Sequence, residues 1–209
     1  ALDRVIDHLL ETGTQGLVIA GTTGESPTLS HEEKLALTQH IATYVPVDTL
    51  LIANAGTNNT AESVRNAREL SEIPNVDAIL AVTPYYNKPN QRGMIAHFTA
   101  IADASNRPVM LYNIPGRSAV GLTVDSVVTL AQHPNINAIK ETTSVAFIAA
   151  EIEQTQNDDF AVYTGEDAQT LAAFVHGGAG TISVASHLYG RDMSALFNAL
   201  AVGDWQEAG

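Results

Sequence analysis

The chain is 209 residues long, 45% hydrophobic and only 16% charged, enough apolar material for one substantial core, and no linker-like or low-complexity stretch divides it. A formal net charge of -13 excludes nucleic acid and anionic membranes as partners, because phosphate binding needs a basic face. The lack of cysteine excludes a disulfide framework and a thiolate metal site. No apolar run approaches the ~20 residues of a membrane span and no signal-peptide pattern opens the chain, so the expectation is one cytoplasmic domain over residues 1–209.

In chain order, the sequence alternates between helical and strand patterns. Leu2, Val5, Ile6, Leu9 and Leu10 form an apolar stripe at helical spacing, with Gly13 as the stop. A first strand covers 16–20. Ser30 with Glu33 reads as a capping box opening a helix that contains Leu35, Leu37 and Ile41. A strand at 50–53, a helix at 60–70 and a strand at 78–82 follow. Further strands are expected at 109–112, 136–140, 160–163 and 181–184, with helical patterns starting near Thr123, Ser144, Glu166 and Arg191. Short apolar runs separated by helices imply a parallel sheet covered by helices, either a (β/α) barrel or an open doubly wound sheet.

The strand exits choose between these. A barrel delivers every strand to one mouth, so polar functional groups should follow many strands rather than one switch point. Here they do: Thr22-Thr23, Asn54, Thr83-Pro-Tyr85-Tyr86, Tyr112-Asn-Ile-Pro-Gly-Arg117, Lys140-Glu, Thr164-Gly-Glu-Asp and Ser183 each follow a strand. No dinucleotide or P-loop fingerprint is present, and His176-Gly-Gly-Ala-Gly180 precedes a strand, as a tight turn would. His31-Glu-Glu-Lys lacks the second histidine of a zinc-protease helix, and His8, His40, His97, His133, His176 and His187 show no ligand spacing; they read as surface or helix residues, and no metal is expected. Glu166-Asp167 reads as helix capping rather than an acid-base pair.

Of the three lysines, Lys34 lies in the opening turn of a helix and Lys88 in a turn, and both read as solvated. Lys140 ends an apolar strand, where lost hydration lowers an ammonium pKa and frees a neutral amine to attack a carbonyl. Its plain alternative is a strand-end lysine snorkelling to water or paired with Glu141. Together, Lys140, Thr23 with Tyr112, and Arg117 offer the amine, the proton-carrying hydroxyls and the carboxylate-binding cation that a Schiff-base aldolase needs.

Four segments, Gly21-Thr-Thr-Gly-Glu-Ser26, Thr83-Pro-Tyr-Tyr-Asn87, Leu111-Tyr-Asn-Ile-Pro-Gly-Arg117 and Ile139-Lys-Glu141, resemble in order and spacing the motifs of the dihydrodipicolinate synthase family. That resemblance implies a (β/α)8 barrel and a lysine-dependent condensation of pyruvate with aspartate semialdehyde on the route to diaminopimelate and lysine. No cofactor is implied beyond the pyruvate imine. By position it implies Lys140 as the imine lysine, Tyr112 as proton donor and acceptor, and Thr23 and Tyr86 as its relay, with Tyr86 reaching in from a neighbouring subunit. Thr22 and Thr23 would bind the pyruvate carboxylate, Ile182 would contact pyruvate through its backbone, and Arg117 would hold the semialdehyde carboxylate. A homo-oligomer is implied, either a dimer or a tetramer built as a dimer of dimers.

Relatives using the same lysine, N-acetylneuraminate lyase and the 2-keto-3-deoxy sugar acid aldolases, are the rival reading, and Arg117 argues against them. A catalytically idle barrel serving as a binding subunit is another. Against the family pattern, the first strand and the helices beyond the barrel are expected to be missing, as in a barrel truncated at both ends. Ser26, Pro27, His31, Lys34, Asn58, Glu62 and Tyr85 match positions of the family's lysine-effector pocket. The ammonium of Lys34 there predicts weak inhibition by lysine or none, since at ~4 Å and a dielectric near 20 two ammonium groups repel by about 4 kcal/mol.

Overall fold

The computed structural model describes residues 1–156 and 159–208. Seven parallel strands, β1 (Gly16–Ile19), β2 (Leu50–Asn54), β3 (Ala78–Val82), β4 (Val109–Asn113), β5 (Ile136–Glu141), β6 (Ala161–Thr164) and β7 (Gly180–Thr181), lie in the sheet in sequence order. Sequential order with a helical crossover at each step is the winding of a (β/α) barrel, as expected from the spread of polar strand exits. Among the described residues no further strand joins β7 to β1. The helices are α1 (Leu2–Glu11), α2 (His31–Tyr44), α3 (Thr60–Ser71), α4 (Gln91–Ala104), α5 (Pro115–Ser118), α6 (Val124–Ala131), α7 (Val145–Thr155), α8 (Thr170–Val175), α9 (Ser186–Ala201) and α10 (Trp205–Ala208). None is long and apolar enough to cross a membrane.

Caps fix where several helices begin. Ser30 and Glu33 close the reciprocal capping box at 3.2 and 2.7 Å, and Asn59, Asn90, Thr123 and Ser144 each accept a backbone N–H at the start of α3, α4, α6 and α7.

Strand alternation divides the apolar residues into two layers. Leu51, Ala53, Ile79, Ala81, Val109, Leu111, Ile139 and Val162 face the helices in the larger cluster. Ile52, Leu80, Val82, Met110, Tyr112 and Ala138 fill the barrel interior with Tyr163 and Ile182. β5 would break this alternation but for one irregularity. Val109 pairs with Ile136 and Met110 with Ala138, so Asn137 bulges out of the β4–β5 ladder. The extra residue lets Ile136 join the helix side while Ala138 turns inward, and Lys140 follows Ala138 by two.

The end of the chain departs from the sequence reading. β7 stops at Thr181 rather than Val184, because the Asp167 carboxylate takes the backbone N–H groups of Val184 and Ala185 at 3.2 and 3.0 Å and draws that segment off the ladder. A single 3-10 turn, Asp167–Gln169, stands between Glu166 and α8. α9 starts at Ser186, earlier than Arg191, with a break at Tyr189 (φ -117°). Trp205 does not continue that helix: Gly203 turns the chain at φ +75° and α10 begins anew.

Candidate active site

Tyr112 and Lys140 are register partners on β4 and β5, and both project into the barrel near its mouth. Adjacent parallel strands lie ~4.8 Å apart, so the ladder itself sets the spacing of this pair. The Lys140 Nζ sits 4.4 Å from the centre of the Tyr112 ring. Burial pushes the lysine pKa down, with Arg117 adding to the shift and Asp167 and Glu166 opposing it. Burial raises the Tyr112 pKa, against the Thr22 hydrogen bond and the Arg117 charge. Both shifts favour uncharged forms, a neutral amine beside a neutral phenol.

Glycine makes room for the amine. A Cβ on Gly165, at the exit of β6, would lie 2.7 Å from Lys140 Cε and 2.7 Å from Thr142 Cγ2. Its position straight after a strand was the available sequence signal, but the contact that gives it meaning joins different strands.

Behind the Tyr112–Lys140 pair stands a second one. Asn113 and Glu141, the next register pair along β4 and β5, point to the helix side, and Asn113 Nδ2 donates to Glu141 Oε2 at 2.7 Å. Glu141 Oε1 also accepts the backbone N–H groups of Thr142 (2.7 Å) and Thr143 (2.8 Å). Glu141 therefore makes no pair with Lys140. Next to it, Glu151 on α7 is fully buried, its oxygens meet no N–H or O–H donor, and burial pushes its pKa up to about 10, with Glu141 adding to the shift. The contact between the two carboxyl groups closes when Glu151 carries a proton and donates it to Glu141. Sequence reading missed Asn113 and Glu151, and the alternation of strand faces was the only signal for the former.

The other side of the mouth is built from loops. Thr22 opens the turn in which Glu25 N donates to Thr22 O at 3.1 Å, and its side chain reaches the Tyr112 hydroxyl; Thr23 lies exposed on the same turn. Arg117 rides on α5, pinned by Ser118, whose Oγ donates to the carbonyls of Ile114 and Val120 and accepts from Thr83 Oγ1 at 3.0 Å. Tyr86 is 87% exposed in the left-handed region (φ +70°), held by its N–H on Ser118 O. Ile182 continues the ladder beyond β7 through its N–H to Thr164 O at 2.9 Å. Asp167 serves the loop before α9 rather than its own helix, and Glu166 makes no side-chain cap.

The residues matched to an effector pocket divide. Ser26, Pro27, Lys34 and Tyr85 line a cavity of about 410 Å³ that also meets Thr22 and Arg117. His31 bonds Asn66 Oδ1 and Glu69 Oε2 instead, Asn58 bonds Asn87, and Glu62 is half-buried on α3. Lys34 is not solvated as its place in a first helical turn suggested: it is 9% exposed and lines that cavity with Ser26 and Pro27 of the 3-10 turn Ser26–Thr28. Lys88 is exposed as expected. His97 is on a helix but buried, its Nδ1 on Thr60 Oγ1 at 2.8 Å, and burial lowers its pKa to about 4. Among the described residues no cluster of metal-ligating side chains is present.

Comparison with known proteins gives a consistent result. Residues 1–209 match the dihydrodipicolinate synthetase family. The 4-hydroxy-tetrahydrodipicolinate synthase of Leuconostoc citreum (strain KM20) is 98% identical over the whole chain, which spans 72% of that relative. A dihydrodipicolinate synthase structure from Bacillus anthracis superposes with a TM-score of 0.95 at 45% identity, covering 99% of this chain and 70% of that one. A chloride-inhibited dihydrodipicolinate synthase from Acinetobacter baumannii, complexed with pyruvate, superposes at 0.94 with 38% identity, covering 99% of this chain and 71% of that one.

Proposed function

The chain belongs to the dihydrodipicolinate synthetase family, and from that premise we infer that Lys140 is its imine-forming lysine. The reaction is the condensation of pyruvate with L-aspartate 4-semialdehyde to 4-hydroxy-tetrahydrodipicolinate, a lyase-class step of diaminopimelate and lysine biosynthesis. One observation carries the residue assignment: a half-buried lysine at a strand exit, its pKa lowered by burial, with its Nζ against the face of a phenol.

In the sequence this geometry supports, neutral Nζ adds to the ketone carbon of pyruvate and the oxygen leaves as water, giving the iminium. A methyl proton then departs to form the enamine, whose carbon bonds the aldehyde carbon of the semialdehyde. Tyr112 is the group placed to carry protons through these steps, with Thr22 on its hydroxyl, so the relay reads through Thr22 at least as directly as through Thr23. The Thr22–Thr23 turn and the Ile182 backbone would hold the pyruvate carboxylate. Arg117 would hold the carboxylate of the semialdehyde, a group that sugar-acid substrates do not present there. The iminium is the electron sink, so the proposal needs no further cofactor.

Tyr86 supports a homo-oligomeric arrangement: an aromatic side chain fixed outward in a left-handed backbone is suited to completing a neighbour's site. Pyruvate with borohydride tests the lysine assignment. A stable adduct is expected on Lys140 and none in Lys140→Ala; labelling at Lys34 or Lys88, or none in folded protein, refutes it.

A further inference from the structure

We propose that Glu151, on α7, is a positioning residue for the Tyr112–Lys140 pair: as a carboxylic acid it donates its proton to Glu141 and so locks the exits of β4 and β5 from behind. The proposal rests on the reading of Lys140 as the imine lysine. Glu151 and Glu141 are both fully buried. Among the described residues the ion pairs all use histidine, and none includes either glutamate. No cation compensates the two acids, and two carboxylates in one dry site do not both ionise.

The hydrogen bonds say which of them keeps the charge. Glu141 has three donors, Asn113 Nδ2 on one oxygen and the N–H groups of Thr142 and Thr143 on the other. The Glu151 oxygens have none. A buried carboxylate without donors costs far more than a buried acid with an acceptor, so the proton sits on Glu151 and goes to Glu141.

What that proton holds reaches both halves of the mouth. Glu141 follows Lys140, and its register partner Asn113 follows Tyr112. Glu141 O takes the N–H of Gly165 at 2.7 Å, the glycine that packs on Lys140 Cε. Asn113 Oδ1 takes the N–H of Leu122 at 3.0 Å, in the loop that follows the Arg117 turn, and Asn113 O takes Thr142 Oγ1 at 2.9 Å. Glu151 adds the tie from the helix layer, about two turns past the Ser144 cap of α7.

Two variants of similar volume separate positioning from packing. Glu151→Gln keeps a donor for Glu141, whereas Glu151→Leu fills the space without one. In the leucine variant the rate of pyruvate trapping on Lys140 should fall at least about tenfold, since an error of about 1 Å in a reacting group costs on the order of 100-fold. The glutamine variant should stay within about threefold of the parent. Leucine should lose rate without losing stability, because an apolar side chain replaces a buried acid. A role confined to packing would leave the trapping rate of folded enzyme alone.

Equal trapping rates in the parent and the leucine variant overturn the proposal, as does a glutamine variant as slow as the leucine one. Should the leucine variant not fold, infrared difference spectra of the parent against Glu151→Gln decide at neutral pH. A protonated carboxyl band in the parent, absent from the variant, supports the donated proton, and no such band overturns it. If pyruvate labels another lysine in the parent, the imine reading falls by itself. The tie is then read from hydrogen exchange at the Thr142 and Thr143 amides, which should quicken in Glu151→Leu and hold in Glu151→Gln; equal protection in all three overturns it.

Discussion

The mouth has two halves built by different means. Tyr112, Lys140 and Gly165 sit at the ends of β4, β5 and β6, where the ladder fixes their spacing and Asn113 and Glu141 tie the same strands from behind. Thr22, Tyr85, Tyr86 and Arg117 sit on loops, and Ala20, Glu25, Tyr86, Lys88 and Ala119 hold these loops in left-handed backbone at ~1–2 kcal/mol each. The groups proposed to make bonds stand on the rigid half, and those proposed to hold substrate carboxylates on the strained half. The difference teaches that the position of the proposed nucleophile is inherited from the sheet, whereas the loop half is held by hydrogen bonds that bind loop to loop.

Replacements that break the comparison should differ in kind. Lys140→Ala should abolish condensation and trapping together, in a protein that still folds, as read by burst assay and circular dichroism. Gly165→Ala comes next: its methyl group must displace Lys140 Cε, and an error of about 1 Å in a reacting group costs on the order of 100-fold in kcat. Arg117→Ala, on the loop half, should leave trapping intact and lower condensation by about 10- to 150-fold, the worth of charge-assisted bonds to the second substrate alone. Equal loss in both assays would show that the halves are not separable.

A stability measurement sharpens the same contrast. Glu151 has a folded pKa near 10 against ~4.3 unfolded, so between those values the folded state holds a proton that the unfolded state has released. Stability then falls as pH rises through that window, by about 1.4 kcal/mol per pH unit. His97, lowered to about 4 by burial, acts oppositely between pH 4 and 6.5 and offsets this slope there. Glu151→Gln keeps an N–H for Glu141 and should flatten the fall above pH 6.5; a denaturant series from pH 6 to 9 reads it. The smallest effect expected is Thr22→Val, which removes one neutral hydrogen bond on Tyr112 and should cost about fivefold in kcat and raise the alkaline limb of the pH profile.

Most of the strand half was legible in the sequence, since apolar runs, helix caps and polar exits are local signals, and Lys140 with Tyr112 could be found from them. The rest depended on contacts between distant segments. Lys34 reads as solvated from its own helix, yet it is 9% exposed and shares a cavity wall with Ser26, Pro27 and Tyr85 from other segments. Glu166 and Asp167 look like caps of the following helix, but Asp167 is claimed by backbone of residues 184 and 185. The bulge at Asn137 leaves no mark in hydrophobicity at all.

That bulge acts as a reading-frame marker for the motif that follows it. Side chains on a strand have a period of two, so one residue of slack decides which members of Ile139-Lys140-Glu141 look into the barrel. Remove Asn137 and close the ladder, and Ile136 and Ala138 keep Val109 and Met110 as partners, so Lys140 still looks inward beside Tyr112. Press Asn137 into the ladder as the partner of Met110 instead, and the motif shifts by one, so that Ile139 and Glu141 look inward and Lys140 turns toward Ile148 and the apolar helix layer. The polarity of the site therefore rests on that one residue staying unpaired.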